Sequence, residues 1–257
     1  MIGLEKVLAD ARHSAFELPA SFCLQDGVYG GLVLAIAISR IEAVAQHPLR
    51  SIHINFCALA RPNVETMCDV TVRRRGSKTE SWSFHIQQGH ECVAHGSAFS
   101  GRSRPSMPDT TNITPPVLPA RDVVKPIPIG PPMPPFTQHF EMRPAIGDMI
   151  VSGGAPVSGG YLDLRGGLEG AIGRPHLGAL IDAWWPSFLV SATQMRPMAT
   201  TSLHVTFCAA SGDRVAGPFV LELKGHRLVE GYGTESNYLW SQQGQLLAIA
   251  HQSIAMI

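Results

Sequence analysis

The chain has 257 residues, of which 45% are hydrophobic and only 16% charged, enough apolar material for packed cores and too much for a disordered chain. Twenty basic residues balance twenty acidic ones and the sequence pI is about 7.2, so no electrostatic footprint points to a nucleic-acid or membrane partner. The length admits one large domain or two of roughly 100 to 150 residues. Met1 to Ala11 carries Glu5, Lys6 and Asp10 without a signal-like apolar run. The longest apolar stretch, Leu32 to Ile38, falls far short of the ~20 residues needed to cross a bilayer. A cytoplasmic protein is the expectation.

In chain order, Tyr29-Gly30-Gly31 opens a stretch from Leu32 to Gln46 free of proline and glycine. Its apolar residues are too continuous for a surface helix, so the spacing predicts a helix buried nearly all round. Strands follow with period-two alternation: Ile52, Ile54 and Phe56 share one face, and later strands are expected over 66–74, 81–87 and 92–99. Gln87-Gln88-Gly89 reads as a hairpin turn, with glycine supplying the positive φ. The basic run Arg73, Arg74, Arg75 fits a solvated strand end or a contact to a phosphate-bearing ligand. Between Pro105 and Pro135, 11 of 31 residues are proline, which predicts an extended, semi-rigid connector. A second helix is expected over 177–195, interrupted by Pro186, then strands around Leu203, Val205 and Phe207 and over 219–227, 235–241 and 246–254, with a turn at Gln242-Gln243-Gly244.

These elements repeat. Ser51-Ile52-His53-Ile54-Asn55-Phe56-Cys57-Ala58 recurs as Ser202-Leu203-His204-Val205-Thr206-Phe207-Cys208-Ala209, an offset of 151. Thr79-Glu80-Ser81, then Gln87-Gln88-Gly89, recurs as Thr234-Glu235-Ser236, then Gln242-Gln243-Gly244, an offset of 155. Two blocks in the same order identify a duplication. The expected division is 1–104 for the first unit, 105–136 for the linker and 137–257 for the second unit. A buried helix followed by antiparallel strands implies a sheet wrapped around that helix, an α+β architecture. The five cysteines, Cys23, Cys57, Cys68, Cys92 and Cys208, are odd in number and lack CxxC spacing, so they read as reduced core residues and not as disulfides or a metal site.

A Tyr-Gly-Gly entering a buried helix, a strand ending in Phe, a glycine-bounded hairpin and a last strand carrying Gln resemble the hotdog fold. In tandem, from about Phe22 to Ile254, they resemble the acyl-CoA thioesterase II family of the double-hotdog superfamily. The resemblance implies an Asp in the second helix region, a Thr at the start of the next strand and a Gln on the last strand. These map to Asp182 in Ala179-Leu180-Ile181-Asp182, Thr200 in Met198-Ala199-Thr200-Thr201, and Gln252 in Ala250-His251-Gln252-Ser253. The implied activity is hydrolysis of an acyl-CoA thioester to free acid and coenzyme A, with coenzyme A part of the substrate and no separate cofactor. Hotdog units commonly associate, so a homo-oligomer is compatible with it. That family carries aliphatic and small residues beside the Asp, whereas this chain carries Trp184 and Trp185.

The chemistry of the three side chains is consistent. A carboxylate can orient a water and take its proton, while a hydroxyl and a carboxamide fix the same water. The oxyanion needs backbone amides or another donor, from a glycine-flanked turn or a helix N-terminus. No Gly-x-Ser-x-Gly elbow is present, so no serine nucleophile is called for.

Strand parity puts Gln252 on the inward face with Ala250 and Ile254, but favours Thr201 over Thr200 for the face of Leu203 and Phe207. Thr200 therefore rests on the alignment, with Thr201 in reserve as a substrate contact. Gly30 and Gly31 would admit a ligand or a neighbouring backbone, or mark plain helix-start packing. Trp184 is core, interface or acyl-tunnel lining. Aligned on the repeat, Gln252 is matched by Ser97 and Asp182 by Gly31, so one site per chain is expected. Asp182 also suits a polar residue beside a helix start, and Gln252 a structural amide. His53 and His204 read as structural or exposed, not as a dehydratase site. The rival functions are a non-catalytic acyl-CoA binding protein and a hotdog dehydratase or hydratase.

Overall fold

The computed structural model describes residues 3–104, 110–166, 172–210 and 215–256. The first half contains α1 (Leu4–Asp10), β1 (Phe16–Glu17), β2 (Cys23–Leu24), β3 (Gly27–Val28), α2 (Gly30–Glu42), β4 (Leu49–Phe56), β5 (Glu65–Arg75), β6 (Thr79–Gln88) and β7 (Glu91–Gly101). The second contains β8 (Phe140–Ile146), β9 (Val157–Leu164), α3 (Arg174–Ile181), α4 (Phe188–Ser191), β10 (Met198–Phe207), β11 (Phe219–Val229), β12 (Tyr232–Ser241) and β13 (Leu246–Met256).

Eleven strands form one antiparallel sheet in the order β1-β5-β6-β7-β4-β10-β13-β12-β11-β9-β8. The order is palindromic about the β4–β10 join, with β8 the extra strand at one edge: β4 answers β10, β7 answers β13, β6 answers β12, β5 answers β11 and β1 answers β9. The repeated motif itself makes the join, because His204 pairs with His53, Leu203 with Ile54 and Val205 with Ile52. A local twofold axis therefore passes beside the two histidines, whose rings lie 6.1 Å apart.

The concave face of the sheet holds α2 and α3, packed antiparallel. The start of α2 meets the end of α3: a Cβ on Gly31 would stand 2.9 Å from the Ala179 carbonyl oxygen, and one on Gly178 only 2.5 Å from Cδ1 of Ile38. At the opposite end Arg174 reaches Glu42 at 3.5 Å. With sheet on one side and a helix on the other, α2 is buried from Gly31 to Ser39 and again at Ile41, as its continuous hydrophobicity predicts. Each of its fully buried Leu and Ile side chains contributes about 1.5–3 kcal/mol of transfer free energy.

Two expectations need correction. The first helix ends at Glu42 instead of Gln46, because the buried carboxylate of Glu80 takes the amides of Gln46 (2.9 Å) and His47 (3.2 Å), and Pro48 disfavours helical geometry before it. The second helix is Arg174–Ile181, set by Pro175 in its first turn, and only the one-turn α4 follows Pro186. The β8–β9 hairpin, for which the sequence offers no expectation, runs through Pro144 and the glycines 159 and 160, residue types that are rare inside strands. A Cβ on Gly160 would lie 2.1 Å from the Arg143 carbonyl oxygen, so glycine is what lets these strands approach.

Two further readings change. Only Cys23 and Cys68 are buried; Cys57 and Cys208 are exposed and Cys92 is intermediate, so the cysteines are not uniformly core. The proline-rich segment is strapped onto the second half: Tyr161 Oη donates to the Pro119 carbonyl (2.7 Å), Ile127 N–H to Met142 O (2.8 Å) and Arg143 Nη1 to Val124 O (2.7 Å). Residues 105–109 of that segment lie outside the described residues. Among the described residues no helix is long and apolar enough to cross a membrane.

Candidate active site

The parity conflict at Thr200 is resolved by a bulge. In the β10–β13 ladder Thr200 pairs with Ile254 and Ser202 with Ser253, so Thr201 is an extra residue without a partner of its own. It shifts the phase by one and turns Thr200 to the inner face, beside fully buried Ile254. Gln252, directly across from Leu203, donates through Nε2 to the Thr200 hydroxyl. The Thr201 hydroxyl donates to the Ser253 carbonyl at 3.1 Å, a backbone contact of the bulge.

Gln252 is held from its other end by a residue that sequence reading missed. Asn237, fully buried on β12, donates through Nδ2 both to Gln252 Oε1 (3.0 Å) and to the carbonyl of Ile181 (3.2 Å). A carbonyl can only accept, so Ile181 fixes which way the Asn237 amide points, and Asn237 in turn fixes Gln252. The next residue in the chain is Asp182. Thr200, Gln252 and the segment bearing Asp182 are thus linked by consecutive hydrogen bonds.

Asp182 is the C-cap of α3, and part of its surface still reaches solvent. The amide of Gly31 donates to its carboxylate. Gly31 and Asp182 are therefore not counterparts, as the repeat alignment had them; one opens α2, the other closes α3, and they touch. Gly30 completes this contact, since a Cβ there would stand 2.9 Å from both Asp182 Oδ2 and Phe56 Cζ. Burial pushes the Asp182 carboxyl up to about 7, with the charge of Glu235 acting in the same direction and the Gly31 hydrogen bond opposing both. Tyr29, the N-cap of α2, is buried beside it with no partner for its hydroxyl among the described residues. Burial first, and the Asp182 charge second, raise the Tyr29 pKa well above its usual value.

Trp184 is 5% exposed, with its ring centroid 4.8 Å from that of Trp185, and neither indole N–H meets an acceptor among the described residues. It belongs to the hydrophobic core two residues from Asp182. The candidate site thus takes Asp182, Thr200, Gln252 and Asn237 from the second half, and Tyr29, Gly30, Gly31 and Phe56 from the first. The tripeptide Tyr-Gly-Gly and the strand-ending Phe56 gave the sequence signals for the first-half contribution, and nothing gave one for Asn237.

The symmetry-related place is differently filled. Across from Ile52, the counterpart of Leu203, stands Ala98; Ser97, which the repeat alignment had matched to Gln252, is exposed on the other face. Where α2 opens with Gly30 against Phe56, α3 opens with Arg174, whose guanidinium lies 6.0 Å over the Phe207 ring and pairs with Glu42. Among the described residues, no group of three or more His, Cys, Asp or Glu could hold a metal ion.

Residues 18–101 match the family model for the acyl-CoA thioesterase N-terminal domain, and residues 111–256 match that for the C-terminal domain. Among solved structures, a hot dog fold protein of unknown function from Alicyclobacillus acidocaldarius superposes with a TM-score of 0.87 at 20% identity, over 97% of each chain. An acyl-CoA thioesterase II from Mycobacterium marinum gives 0.74 at 14% identity, over 95% of this chain and 92% of that one. At these identities the likeness establishes the double-hotdog fold. No curated protein matches the sequence.

Proposed function

Since the chain belongs to the acyl-CoA thioesterase family, we propose that it hydrolyses an acyl-CoA thioester to the free acid and coenzyme A by direct attack of water. The observation that carries this reading is the run of hydrogen bonds from Thr200 through Gln252 and Asn237 to the carbonyl preceding Asp182. In it, Asp182 accepts the proton of the attacking water, a role for which a pKa of about 7 suits neutral pH. With Gln252 donating to its oxygen, the Thr200 hydroxyl is left to donate its own hydrogen to that water.

The water oxygen bonds to the carbonyl carbon, and the developing oxyanion needs a donor. The amide of Gly30, first in α2, has no intrahelical partner and lies at the positive end of the helix, which suits it for that charge. Collapse of the tetrahedral species breaks the carbon–sulfur bond, and the proton held by Asp182 passes to the departing thiolate. The protein needs no covalent intermediate and no added cofactor for these steps. Acyl-CoA thioesters of varied chain length, assayed with a thiol reagent, test the reading: release of coenzyme A that is abolished in Asp182→Asn supports it. Binding without release, or addition of water to an enoyl-CoA, would replace it.

A further inference from the structure

Each half of the molecule buries one glutamate at the same place, and the two are treated differently. Glu80 on β6 is 1% exposed and Glu235 on β12 is fully buried. Both cap the chain just after the helix of their own half. Glu80 accepts from the amides of Gln46 and His47; Glu235 accepts through Oε2 from the Ser187 amide (2.9 Å) and hydroxyl (2.6 Å). The difference lies across the strand. Opposite Glu80 stands Arg75, whose Nε meets Glu80 Oε1 at 2.7 Å. Opposite Glu235 stands Gly225, where a Cβ would lie 2.8 Å from Ser187 Oγ and 2.9 Å from Phe188 Cζ. The turn that bears Asp182 has taken the room the arginine uses in the first half. Among the described residues Glu235 pairs with no cation, and its Oε1 is buried without a partner. An uncompensated buried carboxylate is costly, and this one is in the half that carries Asp182.

Resting on the hydrolase reading above, we propose that Glu235 is a positioning residue for the reaction: it pins the far end of the 182–187 turn through Ser187 and keeps a buried, unpaired negative charge in the half that carries Asp182. Asn237 secures the near end of the same turn through the Ile181 carbonyl. The groups acting on Asp182 are Glu235 from β12, and Tyr29 and the Gly31 amide at the start of α2. Those around Glu235 are Ser187, Gly225 and its cross-strand neighbour Gln252. No positive side chain intervenes among them. Burial raises the carboxyls of Glu235, to about 6, and Asp182, to about 7, and the charge of Glu235 raises that of Asp182 further.

Glu235→Gln keeps an acceptor for Ser187 and removes the charge. Its acid limb of kcat/KM should move to lower pH by about one unit relative to wild type, with the KM for acyl-CoA little changed. Glu235→Asp should restore the limb toward wild type, whereas Glu80→Gln should leave it in place. An unmoved or upward-shifted limb in Glu235→Gln overturns the proposal. Carbon-13 titration of the Asp182 carboxyl, assigned by comparison with Asp182→Asn, reads the same shift without turnover. A wild-type protein inactive on every thioester therefore removes the hydrolase reading while still deciding the coupling. If Glu235→Gln does not fold, Ser187→Ala carries the test: with one donor lost Glu235 holds its proton to higher pH, and Asp182 should again titrate lower; no shift overturns the proposal.

Discussion

The amide of Gln252 donates to the hydroxyl of Thr200, 52 residues earlier in the chain, across a strand pair that a single extra residue has thrown out of step. The contact depends on Thr201 occupying the bulge. Thr200→Ala and Gln252→Ala should therefore each lower kcat by tenfold or more and change KM less, the cost of a lost hydrogen bond being about 1–3 kcal/mol. Thr201→Ala should stay within about twofold of wild type. Steady-state kinetics of the three variants separate the positions, and a larger loss in Thr201→Ala than in Thr200→Ala would reverse the assignment.

Asp182→Asn keeps the shape of the site and removes the base, so kcat should fall by roughly 10²- to 10⁴-fold. Because burial and Glu235 raise the folded-state pKa to about 7, this variant should also be the more stable protein in mild alkali. A carboxyl with a raised folded pKa contributes stability that is full below its unfolded value near 4 and is lost as pH rises through 7. Removing it should recover about 2–4 kcal/mol at pH 8 and little at pH 4. Thermal melts of both proteins at the two pH values give the comparison.

The same titration gives activity the opposite pH dependence. In the proposed role Asp182 can take a proton only when ionised, so kcat/KM should climb with pH and level off above about 7. A pH–rate profile with its acid limb near 4 would show that the proton acceptor is an ordinary exposed carboxylate and not Asp182.

Gly30→Ala places a methyl group 2.9 Å from Asp182 Oδ2 and from Phe56 Cζ. Phe56 can give way only by shifting at the join of the two halves, so the variant should lose tenfold or more in kcat and melt lower. Gly31→Ala meets the Ala179 carbonyl oxygen at 2.9 Å, a backbone atom that cannot swing aside, and should cost more stability than Gly30→Ala.

The duplication, the buried helix and the strand faces were legible because each rests on periodicity within one segment. Thr200 was legible only through family resemblance, since local alternation pointed to Thr201 and a bulge leaves no mark in composition. Glu235 sits in plain view within the repeated Thr-Glu-Ser block, with Asn237 just outside it, yet the meaning of the glutamate depends on what stands opposite: Arg75 before Glu80, Gly225 before Glu235. Cross-strand partners are set by register, which the linear order of residues does not display. The error at Ser97 has the same origin, because one residue of misalignment in a strand moves a side chain to the opposite face.

The axis beside His53 and His204 relates two copies that share one backbone plan but no longer share one gene segment each. In an assembly of two identical chains, every substitution would strike both symmetry-related helix junctions at once. Covalent fusion removes that coupling, so Arg174 and Glu42 pair at one junction while Gly30 and Asp182 meet at the other, and neither choice compromises its twin.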